Sequence, residues 1–140
     1  MSKSNACENS LLLLIYNATA WANLADNASS SPATNITWHL HVGDPGEAGT
    51  SATSECSYGS YAAQNVARSG AGHVVTANSV SPASTISFPA CTSGTQTATH
   101  FSTTLQGSTV ILHKGTITPN LSISTGVTPQ LNTATAIVED

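Results

Sequence analysis

Two histidines, His39 and His41, are the residues of this chain best placed to do chemistry. Side chains two apart on an extended strand share one face, so both imidazoles could meet a single metal ion. Two ligands do not complete a site, and a third would have to come from His73, His100 or His113. Asp44 and Glu47 follow in Gly43-Asp44-Pro45-Gly46-Glu47-Ala48-Gly49, where Pro45 and the glycines predict a long surface turn. Two carboxylates in a solvated turn are a poor oxygen cage for calcium. Acid–base work on glycosides needs two acids flanking a cleft, and away from the ends the chain offers only Asp26, Asp44, Glu47 and Glu55.

Nucleophilic and nucleotide chemistry find less still. No G-x-S-x-G elbow, H-E-x-x-H or G-x-x-x-x-G-K-[ST] segment occurs, and Gly70-Ala71-Gly72 lacks the later glycine of a dinucleotide fingerprint. Arg68, the only arginine, closes an expected strand and offers five fixed donors, either to a second subunit or to solvent. Tyr58 and Tyr61 follow a turn and could form a sugar-stacking face; the default for the other large rings is the core. The expectation is therefore a chain with no catalytic residues, no cofactor and no metal site, His39 and His41 being the sole ligand candidates. Its contact residues are expected at Leu11, Leu14, Asp44, Glu47 and Arg68.

Composition narrows the function further. Charged residues make up 7% of the 140 positions and the fixed cations are Lys3, Arg68 and Lys114, against a formal net charge of -4. Nucleic-acid binding is excluded, because neutralising several phosphates takes a patch of Lys and Arg. Twenty Ser and twenty Thr stand beside 19 Ala and 10 Gly, while 39% of residues are hydrophobic, too many for a disordered chain. The surface must be polar yet almost uncharged, which protects a lone monomer poorly against association and points to a subunit of something larger.

The run Leu11-Leu12-Leu13-Leu14-Ile15 is too short for a signal-peptide core and far below the ~20 residues of a membrane span, and Glu8 offsets Lys3. It reads instead as an amphipathic helix over 7–24, with Asn9 or Ser10 as cap and Leu11, Leu14 or Ile15, Ala18, and Trp21 or Ala22 on its apolar face. Cys7, Cys56 and Cys91 are odd in number and hold no CxxC pair, so reduced thiols are expected rather than a disulfide framework. The N-x-S/T triplets at Asn17, Asn27, Asn35 and Asn120 arise by chance in so Asn-, Ser- and Thr-rich a chain.

After a loop over 25–35 the period changes. Ile36, Trp38, Leu40 and Val42 alternate with Thr37, His39 and His41, a strand with one apolar and one polar face. Further strands are expected at 61–68, 73–76, 85–88, 99–103, 109–113, 117–123 and 134–138, with turns at Ser69–Gly72, Ser81-Pro82, Cys91–Gly94, Gln106-Gly107, and Gly126 with Pro129. About eight short strands after one N-terminal helix predict a mainly β domain over 1–140, a jelly roll or β-sandwich whose sheets occupy 36–138.

The segments Glu8-Asn9-Ser10-Leu11-Leu12, Leu40 to Thr50, Ser57-Tyr58-Gly59-Ser60-Tyr61-Ala62, Val80 to Ala90, and Ala98-Thr99-His100-Phe101 occur in the order seen in a family of small tailed-phage virion proteins. Over roughly residues 7–140 the chain resembles that family, whose members are often labelled tail-fibre proteins. In size and strand pattern it also looks like the jelly-roll cement proteins that decorate the capsids of short-tailed phages. That resemblance implies a decoration protein made in the host cytoplasm and carried on the virion, at the capsid surface. Its implied partners are the major capsid protein and further copies of itself, as a dimer or a trimer, with no nucleic acid and no membrane. The alternative is a tail or tail-fibre protein, structural or receptor-binding. A small metal-dependent hydrolase is a third reading, argued only by His39 and His41.

Overall fold

The computed structural model describes residues 5–20 and 33–139. One helix, α1 (Asn5–Asn17), precedes nine strands: β1 (Asn35–His41), β2 (Gln64–Ala67), β3 (His73–Thr76), β4 (Ser79–Pro82), β5 (Ile86–Ser87), β6 (Thr95–Leu105), β7 (Ile111–Ser124), β8 (Gln130–Leu131) and β9 (Ile137–Val138). The mainly β reading with one N-terminal helix holds. The strands form three antiparallel sheets, ordered β2-β1-β6-β7, β3-β4-β9 and β5-β8.

Register decides what each face carries. On one face of the four-stranded sheet Ile36 and Leu40 pair with Leu105 and Phe101, and Trp38 with Thr103. Together with Val80, Ile86, Leu131 and Ile137 of the smaller sheets, Phe88 just after β5 and Leu12 of the helix, these residues make one core. Trp38 stacks on Phe101 with ring centroids 5.4 Å apart. Phe101 in turn lies over Gly115 of β7, where a Cβ would come within 2.7 Å of the ring. That glycine is there to make room.

Several boundaries differ from the sequence reading. Ser81-Pro82 is no turn but the end of β4; β9 pairs only with Ser79 and Val80, so at Pro82 the strand has one neighbour and the missing N–H breaks no second ladder. The expected strands at 109–113 and 117–123 are one 14-residue strand, β7, whose pairing shifts register at two points. Because β7 is an edge, it tolerates both Gly115 and Pro119. The short β8, between Gly126-Pro129 and the C-terminus, had no period long enough to read.

The helix differs most. It begins at Asn5, so Asn9 and Ser10 lie inside it, and it ends at Asn17 rather than running to 24. Ala18 turns to φ 53° and the Thr19 N–H returns to the Leu13 carbonyl at 3.1 Å, which closes the last turn. Residues 21–24 of the expected helix, Trp21 among them, lie outside the described residues. Its buried stripe is also rotated: Glu8, Leu12 and Tyr16, spaced by four, are the buried positions, while Leu11 and Leu14 are half-buried. In a run of four leucines the apolar pattern cannot fix the phase; the hydroxyl and imidazole that receive Tyr16 do. Leu12→Ala should therefore cost about 2–5 kcal/mol in urea denaturation and Leu11→Ala about 1 or less. Equal losses would mean the helix docks on the face first read from the sequence.

Candidate functional site

The polar face of the four-stranded sheet carries the groups singled out by the sequence. Thr37, His39 and His41 of β1 pair with Thr104, Ser102 and His100 of β6, so three imidazoles and three hydroxyls share this side. It is not a solvated face. His39 is 8% exposed and His41 not at all, because residues 50–57 fold across them. The expectation of histidines on an open polar side is thereby corrected: β1 is buried on both faces over its second half.

The His39 and His41 rings are fully engaged. The His39 Nδ1–H donates to Glu55 Oε1 at 2.7 Å, and the Thr104 hydroxyl lies 3.2 Å from its Nε2. His41 donates from Nδ1 to the Thr53 carbonyl at 2.9 Å and accepts from the Ser102 hydroxyl at Nε2, 2.8 Å away. Burial drives the His41 pKa below its ordinary value, so the ring is neutral. Ring centroids of His39 and His41 are 6.4 Å apart. Every nitrogen on the expected ligand pair thus faces a protein partner, and among the described residues no three His, Cys, Asp or Glu side chains gather as a metal would require.

Glu55 organises this cluster. Burial would raise its carboxyl, but bonds from His39 and from the Tyr61 hydroxyl at 3.0 Å, with the charge of His39, hold it below the ordinary range. The Tyr61 oxygen accepts the Leu40 N–H at 3.0 Å. Tyr58 is buried and bonds the Pro89 carbonyl, and its ring meets Tyr61 edge-on at 5.3 Å. The proposed sugar-stacking face is therefore an internal aromatic pair, completed by Phe88 stacked on Tyr61. Cys56 and Cys91 are buried thiols, not linked, and burial pushes Cys56 up to about 11.

Two of the expected contact residues, Arg68 and Asp44, have side-chain partners within the chain. The Arg68 guanidinium donates to the carbonyls of Leu14 and Ile15 at the helix end and to Ala33 at 3.3 Å. It satisfies carbonyls that a helix terminus leaves open and puts a cation at the negative end of the dipole. Asp44 accepts the Gly46 N–H at 2.8 Å and pairs with Lys114 Nζ at 2.9 Å; these bonds, in that order, lower its pKa. Glu47 is the one exposed charge among the described residues without an internal partner.

Two buried networks were invisible in the sequence. The fully buried Tyr16 hydroxyl sits 2.8 Å from His113 Nδ1 and 3.0 Å from Thr103 Oγ1, and His113 Nε2 lies 2.5 Å from Glu139 Oε1. Burial raises the Tyr16 pKa, so the phenol stays protonated. Beside it, the Trp38 indole donates to His73 Nε2 at 3.1 Å, which fixes the ring proton on Nδ1, where it donates to the Ala67 carbonyl at 3.0 Å. His73 also touches Tyr16, centroids 4.9 Å apart. These partners are separated by up to 97 positions, so no spacing motif could report them. They anchor the helix to the sheets and hold no open space for a substrate.

Concavities among the described residues include one of about 310 Å³ beside Gln64–Ala67 and residues 84–87, and a cleft of about 500 Å³ between residues 116–121 of β7 and residues 130–136. Its lining includes Ile117, Leu121 and Leu131, with Thr, Gln and Asn side chains and no charged group. No helix among the described residues is long and apolar enough to cross a membrane. The profile of one family, described as podophage GP4 fiber I protein gp80, matches residues 2–136. No curated protein matches the chain.

Burial pushes the His73 pKa down to about 4 from the ordinary 6.5. The unfolded chain takes up that proton near pH 6.5 and the folded chain only near 4, so stability is full above that window and falls as pH drops through it. The expected loss is on the order of 2 kcal/mol; the lowered His41 adds in the same direction, and Glu55 adds to the loss below about 4.5. Urea titrations between pH 7.5 and 4 should show this slope, and His73→Phe, less stable at pH 7.5, should show a shallower one. Identical slopes would remove His73 from the account.

Proposed function

The chain belongs to the podophage GP4 fiber I protein family and is a structural protein of the phage virion; from that premise we propose that it is a non-catalytic building block of the particle's fibre apparatus. One observation carries this reading: five of the seven described charged side chains, Asp44, Glu55, Arg68, Lys114 and Glu139, are paired within the fold, and the exterior is rich in Ser, Thr, Ala and Val. Such a surface allows close backbone approach to a neighbour without burying unpaired ions. It suits repeated contact between copies, and the reading assigns no reaction to the histidine cluster, in which all four ring nitrogens of His39 and His41 are hydrogen-bonded within the fold.

The family description names a fibre, which favours that location. Capsid decoration, with the major capsid protein as partner and a homodimer as the unit, is the second reading. It is favoured by the compact arrangement of short sheets around a single core, the form of a brick that fits between neighbours in a lattice. Both make the chain a multi-copy subunit and differ in where it sits. Gold-labelled antibody against this chain should mark the fibres of intact particles, at a few to tens of copies each. Label spread over the shell at hundreds of copies would establish the decoration reading in its place, and unlabelled particles would remove both.

A further inference from the structure

The cleft beside β7 lies where the four-stranded sheet departs from regularity. Ala98 of β6 pairs with Leu121 and His100 with Thr116, so Thr99 alone stands opposite four residues, 117–120, none of which has a partner in the ladder. Such interruptions turn side chains and backbone groups away from the neighbouring strand and concentrate beside binding sites. Here residues 116–121 form one wall of the cleft and residues 130–136 the other. The volume of about 500 Å³ lies within the range of small-molecule sites.

The lining has two characters. Phe101, Ile117 and Leu131 are buried and bring the core to the cleft. Beside them stand Thr116, Thr118, Gln130, Asn132 and Thr135. The Gln130 amide nitrogen donates to the Ser87 hydroxyl and the Asn132 amide oxygen accepts the Ala134 N–H, which leaves the Gln130 oxygen and the Asn132 nitrogen open. The three threonine hydroxyls have no partner among the described residues.

We propose that this cleft is a binding site for a short neutral carbohydrate built of pyranose units. The lining and the broken ladder together select that class. No Lys, Arg, His, Asp or Glu lines the cleft, so a phosphate, a carboxylate or a cation would lose its hydration and gain no counter-charge. A purely apolar ligand would cover the open hydroxyl and amide groups and leave them unsatisfied. An extended peptide adds a strand to a regular edge, and over 117–120 this edge has left the ladder and holds Pro119, which lacks an N–H. A compact, uncharged ring that carries hydroxyls around apolar C–H faces meets all three conditions. Its faces suit the apolar floor, and its hydroxyls suit the threonine, glutamine and asparagine groups. The site goes beyond the building-block reading and holds equally for a fibre or a shell location.

The test titrates the isotope-labelled full chain, read by its amide NMR signals, with cellobiose, maltose, lactose and N,N′-diacetylchitobiose. Glucuronate, glucose phosphate and an uncharged Ser/Thr peptide are the comparators. At least one neutral sugar should shift the amides of 116–121 and 130–136, with saturation in the millimolar range, while the charged sugars and the peptide leave them in place. Gln130→Ala with Asn132→Ala, both exposed, should weaken that binding roughly tenfold or more. Ala136→Trp, which fills the cleft from an exposed position, should abolish it, with the melting of wild type retained. No shift with any neutral sugar, shifts confined to another surface, charged sugars or peptide bound as tightly, or a folded Ala136→Trp chain that binds like wild type would each overturn the proposal. Those outcomes leave the labelling of particles untouched, and unlabelled particles would remove the fibre reading without affecting the cleft.

Discussion

Burial of β1 on both faces is the constraint from which the rest of the structure follows. On its apolar side Ile36, Trp38 and Leu40 fill the core; on its other side His39 and His41 must be enclosed as well. A buried imidazole is tolerable only when both nitrogens are satisfied, since an orphaned polar group costs about 1–3 kcal/mol. The chain meets this by folding residues 50–57 over the strand, bringing the Thr53 carbonyl and Glu55 to the rings, while β6 supplies Ser102 and Thr104. Tyr58, Tyr61 and Phe88 pack behind that segment and hold it in place.

The same economy governs the helix. A 13-residue helix whose apolar residues surround it on several sides has no strong preference of its own for which face to bury. Polar partners choose: Tyr16 reaches Thr103 and His113, and Arg68 takes the terminal carbonyls. Neutral imidazoles do in this fold what larger hydrophobic residues do elsewhere, filling volume while closing hydrogen bonds between distant segments. A chain with only 5% aromatic residues and 40 small hydroxyl residues has few other ways to bind its sheets and helix into one core.

What the sequence disclosed follows from the range over which each signal acts. The alternation from Ile36 to Val42 made β1 legible, and the turn at Ser69–Gly72 and the strand at 73–76 were legible from glycine punctuation beside a β-branched run. Two-residue strands such as β5 and β8 carry no period, and Pro82 and Pro119 resemble breakers until it is known that β4 lacks a second neighbour there and β7 is an edge. The spacing of His39 and His41 correctly put both rings on one face. It could not say that the face is covered, because the cover comes from a segment with no apolar period of its own. Arg68 was seen as a contact residue, but the carbonyls it binds lie 53 and 54 positions away.

Internal pairing of charge also dictates how such a subunit can associate. Charged patches steer encounters and accelerate association, but their pull fades over about 10 Å at moderate salt. With Arg68, Lys114, Asp44, Glu55 and Glu139 all paired inside the fold, Glu47 is the one described charge left exposed and unpaired, and no charged patch forms among the described residues. In the building-block reading, recognition rests on shape and on close packing of small side chains, interactions that form only at contact and hardly respond to ionic strength. Slow encounter would be no handicap for a subunit of the kind proposed, one that assembles once at high local copy number. An interface built this way holds its geometry across the range of salt that a particle meets outside its host, which an interface of exposed ion pairs would not.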